Sequence, residues 1–185
     1  MAKDKQVRKP SKYPAGDLRK RYERRGPEDW KTVYEIAASI AACFSGRDRD
    51  DKTVKIALDS AKHYFRYTTE FLGEKDGYLI SAAAFREYQK SGVIDASKKN
   101  GRKAGPHFLE HLIPVGQFFR ELAAKPTAKN AEKLYAKQRM VITLRAEKEK
   151  YEGSGSPYGK TFKSSRSDEE MTRFINDYGI GEFIE

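Results

Sequence analysis

The chain has a single cysteine, Cys43, so no disulfide can close within it and a reducing, intracellular setting is expected. It also lacks any run approaching the roughly 20 apolar residues of a membrane span. Its basic N-terminal stretch has no apolar segment of the kind a secretory signal carries, and no membrane partner is expected. Histidine is scarce: His63, His107 and His111 are the whole supply, and His63 reads as a boundary residue of a helix. The other two, His107 and His111, fall four residues apart in one short stretch. Acidic residues are outnumbered, with 27 Asp and Glu against 37 Lys and Arg, a formal charge of +10. That excess is a footprint of nucleic-acid binding.

What is present is enough for a core. Of 185 residues, 38% are hydrophobic and 12% aromatic, which suits a single globular domain with a heavily charged surface. The charge is unevenly placed. Residues 1–25 carry ten Lys or Arg against Asp4, Asp17 and Glu23, a net of +7, and leave +3 for the rest. Pro10, Pro14 and Gly16 interrupt this segment, so residues 1–25 are expected to form a flexible, disordered basic arm, with a short helix after Asp17. Its candidate phosphate contacts are Arg8, Lys9, Lys12, Arg19, Lys20, Arg21, Arg24 and Arg25.

Residues 26–185 read as one mainly helical domain. Pro27 suits a first helical position, and Trp30, Val33, Ala37, Ile40 and Phe44 recur at helical spacing up to Gly46. Asp50 or Asp51 is placed to cap a second helix with Val54, Leu58, Ala61, Phe65 and Leu72 on its inner face, and the two helices are expected to form a hairpin. Ser81 and Gly92 bracket a third helix, Thr127 starts another, and Ser167 with Glu170 makes a capping box for a terminal one. The run Met140 to Leu144 is the best strand candidate, so any sheet should be small, two strands at most.

Two basic loops extend the phosphate-binding expectation. Residues 93–106 carry Lys98, Lys99, Arg102 and Lys103 around Asn100-Gly101, and residues 153–165 carry Lys160 and Lys163, with Arg166 next to them. The second loop contains Gly159-Lys160-Thr161, but Ser154 stands where a phosphate-binding P-loop requires glycine.

The densest stretch is Gly105 to Leu122, which opens with His107-Phe108-Leu109-Glu110-His111. On a helix both histidines would share a face and could take one zinc ion, with Glu110 beside them to act on a bound water. This pattern resembles the signature of the inverzincins, the pitrilysin-type peptidases. The resemblance implies zinc held by His107 and His111 with Glu110 as catalytic base. It also implies a strand-rich α/β region before the motif and a distant glutamate ligand, whereas the preceding hundred residues here read as helical and the chain ends near where that ligand would be wanted, with only Glu182 and Glu185 close by. The other reading is a strand ahead of a helix starting near Pro114, which puts Glu110 on the opposite face from both histidines. A Mg²⁺-dependent nuclease centred on Glu110 and His111 then becomes the enzyme alternative, although no histidine follows His111 to complete a histidine-asparagine-histidine pattern. The primary expectation is a nucleic-acid-binding protein. Its cofactor is expected to be none or a divalent metal, Mg or Zn.

Overall fold

Short polar side chains start the helices, and they fix where each begins. The computed structural model describes residues 27, 29–48, 51–96, 104–153, 155–159 and 162–183. Asp29 caps α1 (Trp30–Ala42), its carboxylate accepting from the N–H groups of Lys31 and Thr32 at 3.0 and 3.3 Å. The helix thus begins at Trp30 and not at Pro27, because a carboxylate able to accept two orphan N–H bonds defines the end more strongly than a preset φ. Asp51 caps α2 (Lys52–Glu70), and a further short turn, α3 (Leu72–Asp76), follows. Ser81 caps α4 (Ala82–Ser91), which closes on Gly92 at φ 67°. Beyond it come α5 (Val115–Ala124), α6 (Ala128–Lys137), α7 (Arg145–Glu152) and α8 (Asp168–Asp177). Thr127 caps α6, and Ser167 and Glu170 form a reciprocal box at α8.

The sheet is larger than the sequence pattern implied. β1 (Tyr78–Ile80), β2 (His107–His111), β3 (Met140–Leu144) and β4 (Gly181–Glu182) form one mixed sheet in the order β2-β3-β1-β4. The fold is α+β, which corrects the expectation of a mainly helical domain with at most two strands. β3 runs antiparallel to β2, with His107 opposite Leu144 and His111 opposite Met140, and parallel to β1. β4 pairs antiparallel with β1. The cause lies in β3 itself. Val141 and Ile142 point to opposite faces and both are fully buried, so this strand needs cover on both faces and belongs inside a sheet, not at its edge.

Three apolar clusters follow from this arrangement. One face of the sheet carries Tyr78, Ile80, Met140 and Ile142 against Ala84 and Phe85 of α4. The other carries Val141 and Leu112 against Tyr151 of α7 and Phe174 of α8. A separate helical core joins α1, α2, α5 and α6 around Phe65, Phe118, Phe119 and Tyr135. The tail after α8 docks on the body: Ile180 is buried and Phe183 packs edge-on to Tyr88. The expected α1–α2 hairpin is a looser relation. α1 lies mainly on α6, where Trp30 and Tyr34 meet the Tyr135 ring at centroid distances of 6.0 and 5.5 Å.

The arm residues Arg8, Lys9, Lys12, Arg19, Lys20, Arg21, Arg24 and Arg25 lie outside the described residues, as do Lys98, Lys99, Arg102, Lys103, Lys160 and Glu185. Among the described residues no helix is long and apolar enough to cross a membrane.

Candidate functional site

His107 to His111 is a strand, so of the two geometries open to this stretch the helical one, which would bring both histidines to one zinc ion, does not occur. At about 3.3 Å of rise per residue, the two histidines stand roughly 13 Å apart along β2. No single ion reaches both. His107 is fully buried, and its Nδ1 accepts from the Asp95 N–H at 3.1 Å. The Asp95 carbonyl in turn accepts from the His107 N–H at 3.0 Å, which ties the start of β2 to the chain after α4. Burial holds the His107 imidazole below its ordinary pKa.

Glu110 faces the other side of the sheet, as alternation along a strand requires. There it meets cations. Its Oε1 accepts from Arg166 Nη2 at 3.2 Å, and its Oε2 lies 3.5 Å from Lys148 Nζ, which also pairs with Glu152 at 2.7 Å. Burial raises the Glu110 carboxyl pKa, opposed by Arg166 and Lys148. Arg166 is not the phosphate contact that its basic loop suggested, because its side chain is fully buried. Its guanidinium donates to the carbonyls of Phe162, His111 and Leu112 at 3.0, 2.9 and 3.1 Å and lies 4.3 Å from the centroid of Phe162.

His111 lies across the strand from that network, under α2. The Thr69 hydroxyl gives its one proton to the Phe65 carbonyl, so the His111 Nε2–H donates to Thr69 Oγ1 at 2.9 Å. Burial, helped by the charges of Arg66 and Arg166, pushes the His111 pKa down to about 4. It is therefore neutral at pH 7. Glu110 and His111 are neighbours in sequence with separate partners, and among the described residues no three His, Cys, Asp or Glu side chains converge as metal ligands would.

Both residues line the floor of an open cleft of about 930 Å³. α2 supplies one wall through Leu58, Lys62, Arg66 and Glu70, four residues apart on one helical face. α7 supplies the opposite wall through Arg145, Lys148 and Glu152, and Phe108 of β2 lies between. The start of α5 closes one end with Pro114, Val115 and Gly116, joined by Arg120, and Lys163 and Ser164 stand at the rim. Six cationic side chains and three carboxylates face this space, a formal +3. Among the described residues Arg66 and Lys163 have no ion-pair partner, and Arg120 donates to a carbonyl, that of Ser164 at 2.9 Å. Lys148 Nζ sits 4.0 Å from the Phe108 ring centroid and the Arg145 guanidinium carbon 5.6 Å from it.

Of the sequence-derived site residues, the fold thus brings Glu110, His111 and Lys163 to one cleft and leaves His107 outside it, buried against Asp95 at the start of β2. Sequence reading missed Lys62, Arg66, Arg120, Arg145, Lys148 and Phe108. For α2 a signal existed in the four-residue recurrence of Leu58, Lys62, Arg66 and Glu70; nothing local linked it to the α7 face. No family model matches the chain, and no curated protein or solved structure is similar to it.

Proposed function

We propose that the protein binds nucleic acid through its phosphates, with the cleft between α2, β2, α5 and α7 as the seat. The observation that carries this reading is the convergence of Arg66, Arg120 and Lys163 on one concave surface, none of them ion-paired to a carboxylate among the described residues. Like charges held together repel one another, and a row of phosphates relieves that repulsion while releasing its own counterions. The overall charge of +10 and the net +7 of residues 1–25 favour the same partner and speed its approach. Hydrolysis has a weaker basis, since both Glu110 oxygens face cations of this chain.

The test is the salt dependence of oligonucleotide binding. Arg66→Gln, Arg120→Gln and Lys163→Gln combined should weaken binding at low salt. They should also flatten the slope of log affinity against log salt by about 0.7 to 0.9 for each phosphate no longer neutralised. Removal of residues 1–25 should flatten it further, for unrelated sequences alike, because such contacts read no bases. Equal affinities and slopes for the wild type and the triple variant would overturn the assignment.

A further inference from the structure

We infer that the cleft takes a single strand, with a base set against Phe108 and the Arg145 guanidinium, and not a duplex lying across its rim. The inference rests on the nucleic-acid reading above and adds the form of the nucleic acid. Three features of the floor carry it. Phe108 is an aromatic side chain on β2 that lines an open charged cleft while remaining only partly buried, where strand alternation would otherwise allow it to be covered. Two cations attend its ring, Lys148 at 4.0 Å and Arg145 at 5.6 Å from the centroid. The Arg145 guanidinium lies over the ring, and a flat guanidinium backed by an aromatic ring offers a surface on which any base can stack, whatever its sequence.

The third feature is size. About 930 Å³ falls within the range of small-ligand pockets, roughly 300 to 1,000 Å³. Such a space admits a few unpaired nucleotides. Stacked and paired bases cannot reach its floor, so a duplex would leave Lys148 and Phe108 untouched and use only Arg66, Arg120 and Lys163 near the rim. A single strand uses both levels, with phosphates along the rim cations and a splayed base below. The floor is electrically suited to this, because Glu110 and Glu152 hold Lys148 in place from behind.

The experiment compares fluorescein-labelled dT15 and rU15 with a 15-base-pair duplex at matched salt, on the full chain and on Phe108→Leu and Phe108→Trp. The expected result is preference for the single strands, a 5- to 100-fold loss of their affinity in Phe108→Leu, on the order of one stacked base, and retention in Phe108→Trp. Duplex affinity should change little in either variant. Addition of unlabelled dT15 to Phe108→Trp should also quench the introduced indole beyond any change seen for Trp30 in the wild type, a readout that holds even if Phe108→Leu does not fold. Single-strand affinity within two-fold of wild type in Phe108→Leu, equal duplex binding, or an unquenched Phe108→Trp would overturn the single-strand assignment while leaving phosphate binding intact. A mononucleotide bound as tightly as dT15 would overturn it in favour of a free nucleotide. Absence of binding to any of these ligands at low salt would instead sink the nucleic-acid reading itself.

Discussion

Arg166 Nη2 lies 3.2 Å from Glu110 Oε1, and the same guanidinium holds three backbone carbonyls, so one buried cation joins the end of β2, the start of α8 and the loop between α7 and α8. Gln117 of α5 adds to this junction by bonding the backbone N–H and carbonyl of Arg166 at 2.6 and 2.8 Å. Removal of one partner leaves a buried charge or several carbonyls unsatisfied. Arg166→Ala is therefore expected to cost about 3 to 5 kcal/mol in chemical denaturation. Arg166→Lys should recover little, because a single ammonium cannot match the planar fork. A loss below about 1 kcal/mol for the alanine variant would show the junction to be dispensable.

Acid should weaken the fold partly through His111. Its pKa is about 4 in the native state and about 6.5 when unfolded, so the unfolded chain binds more protons between those values. Stability from this residue is complete above about pH 6.5 and is lost as pH falls toward 4. From pH 7 to pH 5 the loss amounts to at most about 2 kcal/mol. His107, also lowered by burial, acts in the same direction, and Glu110, raised by burial, acts in the opposite one. The clean measurement is the stability gap between wild type and His111→Gln, which should narrow at pH 5. An unchanged gap at the two pH values would refute the assignment.

How far these features were legible in the sequence depends on whether a signal was local. Caps are local: Asp51, Ser81, Thr127 and Ser167 stand one residue before their helices, and each accepts the N–H bond its position implies. The strand character of Met140 to Leu144 was equally plain. Its central position was present too, in a run of Met, Val and Ile without alternation, which fits a strand buried on both faces. Its neighbours were not, because Tyr78 to Ile80 and Gly181 to Glu182 are too short to show a period. The cleft was the least legible part. Its cations come from α2, α5, α7 and the loop at Lys163, and only the β2–β3 pairing and the Arg166 junction bring those pieces together.

Glycine substitutions separate two kinds of site at the edge of that cleft. A Cβ on Gly105 would run into the Asp95 carbonyl oxygen and carboxyl group, and that carbonyl also anchors the His107 N–H. Backbone oxygen cannot move without loosening the start of β2, so Gly105→Ala should cost about 1 to 3 kcal/mol. At Gly116 in α5 a Cβ meets nothing nearer than Arg120 Nη1 at 3.6 Å. Gly116→Ala should therefore be neutral or stabilise by up to about 1 kcal/mol through helix propensity. Thermal unfolding of the two variants should give shifts of opposite sign or clearly different size; equal shifts would contradict the geometry at Gly105.

The carboxylates of the cleft floor distinguish binding from hydrolysis. Glu152 is held against Lys148 at 2.7 Å and does not contact Arg166, so Glu152→Gln removes a negative charge without stranding the buried guanidinium. The cleft rises from a formal +3 to +4, and Lys148 is released toward the ligand. If the site only binds phosphates, Glu152→Gln should tighten oligonucleotide binding about two- to five-fold at low salt, corresponding to roughly 0.4 to 1 kcal/mol. That gain should shrink as added salt screens the cleft. Glu110→Gln should act in the same direction on affinity, at a cost in stability because Arg166 loses its anion. A Mg²⁺-dependent nuclease centred on Glu110 and His111 predicts another pattern: wild type nicks supercoiled plasmid, Glu110→Gln does not, and both bind it. Tighter binding in both variants with no Mg²⁺-dependent nicking by wild type supports a binding site. Nicking that is lost in Glu110→Gln and kept in Glu152→Gln would place hydrolysis in this cleft and make Glu110 part of it.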